Sequence, residues 1–472
     1  MATTAFFAVA AVAPAQAWES PLAENRKFIV TDQHFSADDH ILDQACIMVE
    51  LYYRMDEHEG LIFDPEAPEV VFGKVRFRNL SAKSADDSLA RAKAILSQRL
   101  ADLAEAPESE WTGEQRALRK FFPPGWTPGQ IASSAARLVG KRGMRQSFRA
   151  GLEASMPYQD MIDSVFRTEG VPARLKYLAH VESKFNPQAV SPAGAAGMWQ
   201  FLRTSGSLYM VIDDRVDQRF DTRASTIAAA RYLKLCRRYL ASWPLAIMSY
   251  NNGPGAILGA VKETGSRDPS EIIKNYQAGS FGAISRNYYA MFLAASSLGM
   301  KYEALFPGMR KRASPAFKTI KLEHEWTPRQ LRILSGYSTA VLMRCNPALR
   351  PMVFERNLPV PKGYELKLPA GLPTSQDLEF SDLRIAGESS ESEPVRRMPS
   401  IAGIPVPAIA EAALLRIQQA LFAGRGRDDQ PVMAFMHSHG LLNAERLASA
   451  KRDRILIEPH PALHAMIRSM GG

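Results

Sequence analysis

The chain has 472 residues, of which 46% are hydrophobic, and this length is too great for one ordinary core. We therefore expect two or three folded units. The 58 Lys and Arg residues exceed the 49 Asp and Glu residues and give a net charge of +9, which favours an anionic partner. Nucleic acid is not the expected partner, because the basic residues are scattered and no nucleic-acid motif is present.

The three cysteines, Cys46, Cys236 and Cys345, are too few and too far apart for a disulfide framework.

The first residues resemble an export signal. The stretch from Met1 to Ala17 contains an apolar run and ends in Ala15-Gln16-Ala17, which is a small-x-small cleavage pattern. We therefore expect a secreted protein of the periplasm or cell envelope, and the alternative is an ordinary Ala-rich N-terminus. No later stretch of the sequence is apolar for long enough to span a bilayer.

Residues 18–140 are predicted to form a helical accessory region. A long helical pattern runs from Ala82 to Leu103, and Val70-Val71-Phe72 is a short strand-like run. The apolar positions of the helical pattern are Leu89, Ala92, Leu96 and Leu100. Pro123-Pro124-Gly125 and Pro128-Gly129 then interrupt the chain and indicate a domain boundary in this part of the sequence.

Residues 141–302 are predicted to form a compact, mostly α-helical domain, because helical patterns follow one another there with short Gly and Pro interruptions. Within it, Pro172 suits a first helical turn, and the residues after it form one buried stripe. The members of this stripe are Leu175, Leu178, Ala179, Glu182 and Phe185. Glu182 thus places a carboxylate where the pattern calls for an apolar side chain. Such a carboxylate either has a cationic partner in a buried salt bridge or has its pKa raised by desolvation.

Two later segments carry polar groups and small residues beside predicted turns. Gly194 to Phe201 is a Gly- and Ala-rich turn that lets the backbone approach a ligand closely, and it contains Met198, Trp199 and Gln200. Ser249-Tyr250-Asn251-Asn252-Gly253 places a phenol and an amide next to a chain reversal. Met198 and Trp199 fit a groove lining and a hydrophobic core equally well.

Three motifs in this order resemble the soluble lytic transglycosylase family, and within it the membrane-bound lytic murein transglycosylase D type. They are Glu182-Ser183, Gly197-Met198-Trp199-Gln200 and Ser249-Tyr250-Asn251-Asn252-Gly253. The resemblance runs from about Arg145 to Leu298 and implies the lysozyme-like fold that the family shares with goose-type lysozymes.

The resemblance implies that Glu182 is the single catalytic residue. It would protonate the glycosidic oxygen between N-acetylmuramic acid and N-acetylglucosamine and then accept the proton of the muramic 6-hydroxyl as a 1,6-anhydro ring closes. It implies that Ser191 and Gln200 hydrogen-bond sugar, that Tyr250 orients Glu182 and that Asn251 holds the backbone of the site. The full predicted substrate-binding set is Ser183, Ser191, Met198, Gln200, Tyr250 and Asn251.

The sequence departs from the family at one place. Several members carry a further Glu where this chain has Phe281-Gly282-Ala283-Ile284-Ser285-Arg286-Asn287-Tyr288-Tyr289, which contains no carboxylate. A related subgroup has a similar Phe-Gly-x-x-Ser-Arg-Asn pattern. The departure therefore concerns the outer contacts of the groove more than the reaction.

The rest of the chain contributes less chemistry. Residues 315–373 resemble a degenerate LysM-type glycan-binding repeat, with a structural cap as the alternative; we expect helices after Thr327 and Ser338 and a strand ending at Pro369. Residues 374–400 are predicted to be a linker, and 401–472 form a C-terminal region of no indicated role. We expect no metal and no cofactor, because the C-terminal histidines lack ligand spacing. These histidines are His437, His439, His460 and His464.

Three hypotheses for function follow. The first is a lytic transglycosylase, the second a hydrolase of the same fold in which water completes the reaction, and the third a non-catalytic glycan-binding protein. All three take peptidoglycan glycan strands as partner and allow peripheral association with the cell wall or a membrane surface. The sequence indicates no oligomeric state.

Overall fold

The computed structural model describes residues 21–77, 80–277, 281–310, 313–314 and 316–370. The predicted export signal, linker and C-terminal region lie outside these residues. The helices are α1 Pro21–Arg26, α2 Asp39–Val49, α3 Ala82–Glu105, α4 Gly113–Arg119, α5 Pro128–Arg137, α6 Arg145–Ser155, α7 Gln159–Glu169, α8 Leu178–Ser183, α9 Arg203–Gly206, α10 Thr222–Leu240, α11 Trp243–Asn252, α12 Pro254–Thr264, α13 Pro269–Asn275, α14 Ala283–Met300, α15 Tyr302–Leu305, α16 Pro328–Ser335, α17 Thr339–Cys345 and α18 Pro351–Glu355. The strands are β1 Glu59–Phe63, β2 Val71–Arg76, β3 Val139–Arg142, β4 Phe317–Lys321 and β5 Glu365–Pro369. Among these helices we find none with the length and apolar character that crossing a membrane requires.

The chain forms two compact units, each assembled from separate segments. Of the described residues, unit 1 takes in those up to Ala154, Arg174–Lys184 and those between Cys236 and 310. Unit 2 takes in Ser155–Ala173, Phe185–Leu235 and the described residues from 313 to 370. Both units therefore contain residues of the segment 141–302, so the compact units cut across the domain boundaries that the sequence suggests.

A three-stranded antiparallel sheet lies in the N-terminal part of unit 1. Its strand order is β2-β1-β3, and Gly60 of β1 is opposite both Val75 and Arg142. Helix α3 covers it: Leu89 is buried, and a Cβ atom at Gly60 would lie 3.0 Å from its methyl groups. The sequence predicts this helix and its buried stripe correctly, whereas β1 and β3 are additions to a region that we expected to be helical.

Helix α14 runs through the core of unit 1. Its apolar residues face several directions, and nearly all of them are buried, as expected of a helix enclosed by protein. It packs against α2, α8 and α11. The N-terminal segment is tied to it by hydrogen bonds: Tyr289 donates to the Ser36 carbonyl at 2.8 Å, and Asn287 donates to the Pro65 carbonyl at 3.1 Å. The accessory residues are thus part of the same folded core as α14.

The segment from β4 to β5 has its own hydrophobic cluster within unit 2. Strands β4 and β5 pair antiparallel, with Ile320 opposite Leu366, and α16 to α18 lie between them in sequence. Thr327 and Gln330 form a capping box at the start of α16, and Ser338 caps α17. The two helices and the final strand that the sequence predicts here are confirmed, while the LysM-type assignment stays a prediction.

Candidate active site

The local backbone places Glu182 at the end of a short helix. A 3₁₀ turn over Ala173–Tyr177 leads into α8, and the helix ends at Ser183 because Lys184 and Phe185 both have left-handed backbone angles. The predicted stripe is real: Leu175, Leu178, Ala179 and Phe185 are all fully buried. The Glu182 side chain leaves the same stripe and is partly buried.

The Glu182 carboxyl has a phenol as its hydrogen-bond partner and forms no ion pair within the described residues. The Tyr288 hydroxyl, on α14, donates a short hydrogen bond to Glu182 Oε1. Desolvation by burial raises the pKa of Glu182 to about 7, and the hydrogen bond from Tyr288 opposes this rise. Of the two alternatives left open by the sequence, the raised pKa therefore applies, and the buried salt bridge does not. A carboxyl with this pKa exchanges a proton readily near neutral pH, which suits an acid that must also act as a base.

Tyr250 and Asn251 lie near the end of α11 in the same unit as Glu182. Burial raises the pKa of Tyr250 well above its usual value, and the negative charge of Glu182 raises it further. Asn251 Oδ1 accepts a hydrogen bond from Ser285 Oγ at 3.3 Å, and Asn252 Oδ1 accepts one from the same hydroxyl at 2.5 Å. Ser285 thus links the end of α11 to α14, the helix that carries Tyr288.

Ser183 follows Glu182 directly and is partly buried. Its hydroxyl donates to the Ala179 carbonyl one turn earlier, at 3.3 Å. In unit 1 the structure therefore brings together Glu182, Ser183, Tyr250 and Asn251 of the predicted site residues.

The remaining predicted residues, Ser191, Met198 and Gln200, belong to unit 2. Ser191 closes a turn, since its Oγ accepts from the Ala195 amide at 3.0 Å. Gln200 has a φ of 50°, and its Nε2 donates to the carbonyls of Ala189 and Gly197. Met198 is fully buried, as its neighbour Trp199 is. Contact of these three side chains with substrate stays a prediction.

Gly197 of the second motif is required by the backbone. Its φ is 80°, and a Cβ atom there would lie 1.8 Å from the Arg219 carbonyl oxygen. The close approach is fixed by a buried ion pair, in which Nη2 and Nε of Arg219 donate to the two carboxylate oxygens of Asp217 at 2.7 and 2.9 Å. Arg219 also donates to the carbonyls of Gly194 and Phe201. This pair holds the loop that carries the second motif.

His180 lies two residues before Glu182 and has a structural environment. It is buried against Phe148, and one ring nitrogen lies 3.0 Å from the Phe148 carbonyl oxygen. Burial lowers the pKa of His180 to about 4, so the imidazole is neutral at physiological pH.

Sequence reasoning did not assign a role to Tyr288, although it is the residue that contacts Glu182. The only sequence signal is a pair of tyrosines, Tyr288 and Tyr289, in a segment otherwise noted for its missing carboxylate. Both tyrosines are buried, and they do different things: Tyr289 donates to the Ser36 carbonyl, and Tyr288 donates to Glu182.

Comparison with known proteins assigns this helical region to a class. Residues 165–273 match the family described as the transglycosylase SLT domain. This match contains all three motifs that the sequence singles out, and the expected mainly α-helical fold class is confirmed by the described residues.

Individual relatives cover parts of the chain. The membrane-bound lytic murein transglycosylase D of Escherichia coli strain K12 is 35% identical over 116 residues, which are 24% of this chain and 26% of that protein. A protein of Alteromonas sp. strain M-1, named for tributyltin chloride resistance, is 32% identical over 107 residues, or 22% of this chain and 52% of that one. The crystal structure of the 70 kDa soluble lytic transglycosylase of Escherichia coli matches 48% of this chain and 36% of its own, with 18% identity and a TM-score of 0.28. The chain thus spans about a quarter of the murein transglycosylase D relative.

Proposed function

We propose that the protein is a peptidoglycan lytic transglycosylase, which cleaves the β-1,4 bond between N-acetylmuramic acid and N-acetylglucosamine and leaves 1,6-anhydromuramic acid ends. The observation that carries this proposal is Glu182. Its carboxyl is partly buried in the SLT domain, is bonded to Tyr288, has no ionic partner in the described chain and has a pKa of about 7.

The reaction needs one proton to move to the substrate and one to return. Protonated Glu182 gives its proton to the glycosidic oxygen as the bond from that oxygen to the muramic anomeric carbon breaks, and N-acetylglucosamine leaves with a new hydroxyl. The resulting Glu182 carboxylate then takes the proton of the muramic 6-hydroxyl, while the oxygen of that hydroxyl bonds to the anomeric carbon and closes the 1,6-anhydro ring. Glu182 ends protonated, ready for another turnover, so a single carboxyl suffices.

Tyr288 fits this cycle as a positioning residue. Its hydroxyl stabilises the carboxylate form after the first proton transfer, because a hydrogen bond donated to a carboxylate favours the charged state. Burial favours the protonated form, so the two effects together hold the pKa near neutrality. Tyr250, whose pKa responds to the Glu182 charge, would orient the same carboxyl from α11.

The site of action that we propose is the cell envelope, in the periplasm, with the glycan strands of peptidoglycan as partner. The names of the relatives support it, since one is a membrane-bound murein transglycosylase. The net charge of +9 favours peripheral association with an anionic cell-wall polymer or membrane surface. The segment from β4 to β5 is proposed to contact glycan in the manner of a LysM-type repeat.

The direct test is mass spectrometry of the soluble fragments released from purified peptidoglycan by the wild-type protein, by Glu182→Gln and by Glu263→Gln. Glu263 is an exposed glutamate of α12 in the same unit and serves as the matched control. We expect anhydromuramic ends from the wild type and Glu263→Gln, and none from Glu182→Gln. Reducing ends would instead establish a hydrolase, and tight binding without any release would establish a glycan-binding protein.

A further inference from the structure

Unit 1 contains a cavity that the proposed reaction does not use. Its volume is about 690 Å³, within the range of roughly 300–1,000 Å³ that is usual for small-molecule sites. None of Glu182, Tyr250 and Tyr288 lines it. Residues that line it include Gln44, Glu66, Trp126, Ser133, Arg137 and Lys274. They come from α2, the loop after β1, the segment before α5, α5 itself and α13, so the accessory residues supply most of its wall.

The basic side chains that line this cavity are already paired with carboxylates. Arg137 contacts the fully buried Asp64 at 2.7 Å and Glu66 at 3.5 Å. Lys274 contacts Asp38 at 3.3 Å, and Arg286 approaches Glu66 at 3.6 Å. Every cation that lines the cavity thus has a carboxylate partner. An anionic ligand would have to displace one of them, so the cavity favours an uncharged ligand.

Hydrogen-bonding groups remain at the wall. The Gln44 carbonyl oxygen is buried without a hydrogen-bond partner in the described chain, while its amide donates to the Pro65 carbonyl at 3.3 Å. Glu66 and Glu69 offer carboxylate oxygens, and Lys274 and Ser133 offer donors. A hydroxyl can donate and accept at once, so a polyhydroxylated molecule matches this mixture better than a purely donating or accepting one.

Trp126 gives the cavity an aromatic wall. Its ring packs against Phe122 with centroids 5.4 Å apart, and the side chain remains only partly buried while it lines the cavity. The indole N–H forms no hydrogen bond within the residues that the structure describes. An aromatic face beside an unused donor suits a ring that is apolar on one side and hydroxylated at its edge.

We propose that this cavity is a second, non-catalytic saccharide site, which binds one or two N-acetylhexosamine rings of a glycan strand. The inference rests on the proposed function for the source of the sugar. The site would hold a strand on the enzyme independently of the reaction at Glu182. Most of its lining residues belong to the accessory region, and the matched SLT stretch contributes Ile273.

The test uses calorimetric titration of the full chain with the β-1,4-linked tetramer of N-acetylglucosamine, in the Glu182→Gln background so that no turnover occurs. We expect two binding events, one of which becomes about tenfold weaker or is lost in Trp126→Ala. Trp111→Ala is the matched control, because Trp111 is also partly buried against the same hydrophobic cluster but does not line the cavity. It should bind as the background does.

A second pair of variants keeps the test independent of folding. Ser133→Trp puts bulk into the cavity from an exposed position of α5, and Ala132→Trp puts the same bulk on the exposed neighbouring residue, which does not line it. Only Ser133→Trp should lose the second event. Equal titrations within both pairs would overturn the saccharide site. The saccharide site would also be overturned if the cavity bound a short peptide in a Trp126-dependent way and did not bind the tetramer.

The result separates this inference from the proposed reaction. If the cavity binds the tetramer and the wild type releases no fragments, the saccharide site stands and the transglycosylase fails. If the wild type releases anhydromuramic fragments and all four variants titrate alike, the transglycosylase stands and the saccharide site fails.

Discussion

The carboxylates of Asp217 and Glu182 are both withdrawn from water, and they are satisfied in opposite ways. Asp217 in unit 2 is 3% exposed and meets the guanidinium of Arg219 through two hydrogen bonds. Glu182 in unit 1 is partly buried, meets the hydroxyl of Tyr288 and has no cation beside it in the described chain. The difference lies in the partner more than in burial.

The comparison shows what makes a carboxyl suitable for proton transfer. A buried ion pair fixes the charged state and serves architecture, as Asp217 does in holding the loop around Gly197. A carboxyl whose only partner is a neutral donor can take either protonation state, and desolvation brings its pKa to about 7. Asp217 therefore serves the fold, and Glu182 is the carboxyl that we propose for the chemistry.

The largest expected effect is the loss of cleavage in Glu182→Gln. The amide keeps the size of the side chain but has no acidic proton to give to the glycosidic oxygen, so the rate of fragment release should fall about 10³-fold or more. Release of soluble muropeptides from purified peptidoglycan measures it. The amide variant of the other carboxylate, Asp217→Asn, should keep the reaction wherever it remains folded, and an active Glu182→Gln would remove the distinction between the two carboxylates.

Breaking the ion pair in Arg219→Met should have the next largest effect, on stability. It leaves Asp217 buried without its partner, which costs about 3–5 kcal/mol, and the midpoint of urea unfolding should fall accordingly. Arg231→Met is the control, because Arg231 pairs with Glu169 at 2.8 Å in a half-exposed position of the same unit. That variant should cost less than about 1 kcal/mol. Similar losses of unfolding free energy in the two variants would show that burial of the Asp217–Arg219 pair does not increase the cost of breaking it.

Removing the charge at Glu182 should raise the free energy of unfolding, whereas Arg219→Met lowers it. The pKa of Glu182 rises from an ordinary 4.5 to about 7 on folding, so the folded state binds the proton more tightly and loses stability as pH rises through about 7. Glu182→Gln lacks this penalty. It should be more stable than the wild type by about 3 kcal/mol above pH 8, a gain that disappears below about pH 4.5. Urea unfolding at both pH values measures it, and a gain independent of pH would argue against the raised pKa.

The smallest effect concerns Tyr288→Phe. Losing the hydroxyl removes the hydrogen bond that lowers the pKa of Glu182, so that pKa should rise further. The alkaline limb of the cleavage rate, where Glu182 loses its proton, should move upward by less than about one pH unit. Tyr289→Phe, which loses a bond to the Ser36 carbonyl instead, should leave the limb in place. A downward shift in Tyr288→Phe would contradict the role given to the hydroxyl.

Local patterns predicted the elements that carry their own signals. The apolar repeat at Leu89 and Leu100 predicted α3, Thr327 and Ser338 predicted helix starts, and an acidic residue in an apolar stripe singled out Glu182. These features depend on neighbours within a few residues, and the sequence therefore contains all that is needed to find them.

Long-range partners could not be predicted in the same way. Strand β3 pairs with β1 across more than seventy residues, and neither strand is long enough to stand out by its pattern. Tyr288 reaches Glu182 across a separation of 106 residues, so its role depends on how α14 packs against α8. The division of the motifs between two compact units is likewise a property of packing, which one sequence does not reveal.

The most direct test of the central claim is the pKa of the Glu182 carboxyl itself. Infrared difference spectra between the wild type and Glu182→Gln, recorded from pH 4 to 9, isolate the protonated carboxyl band of this one residue. We predict a band that disappears with a midpoint near pH 7. A midpoint near the ordinary value of 4.5 would mean that burial does not hold the proton on Glu182, and the catalytic acid proposed here would be lost.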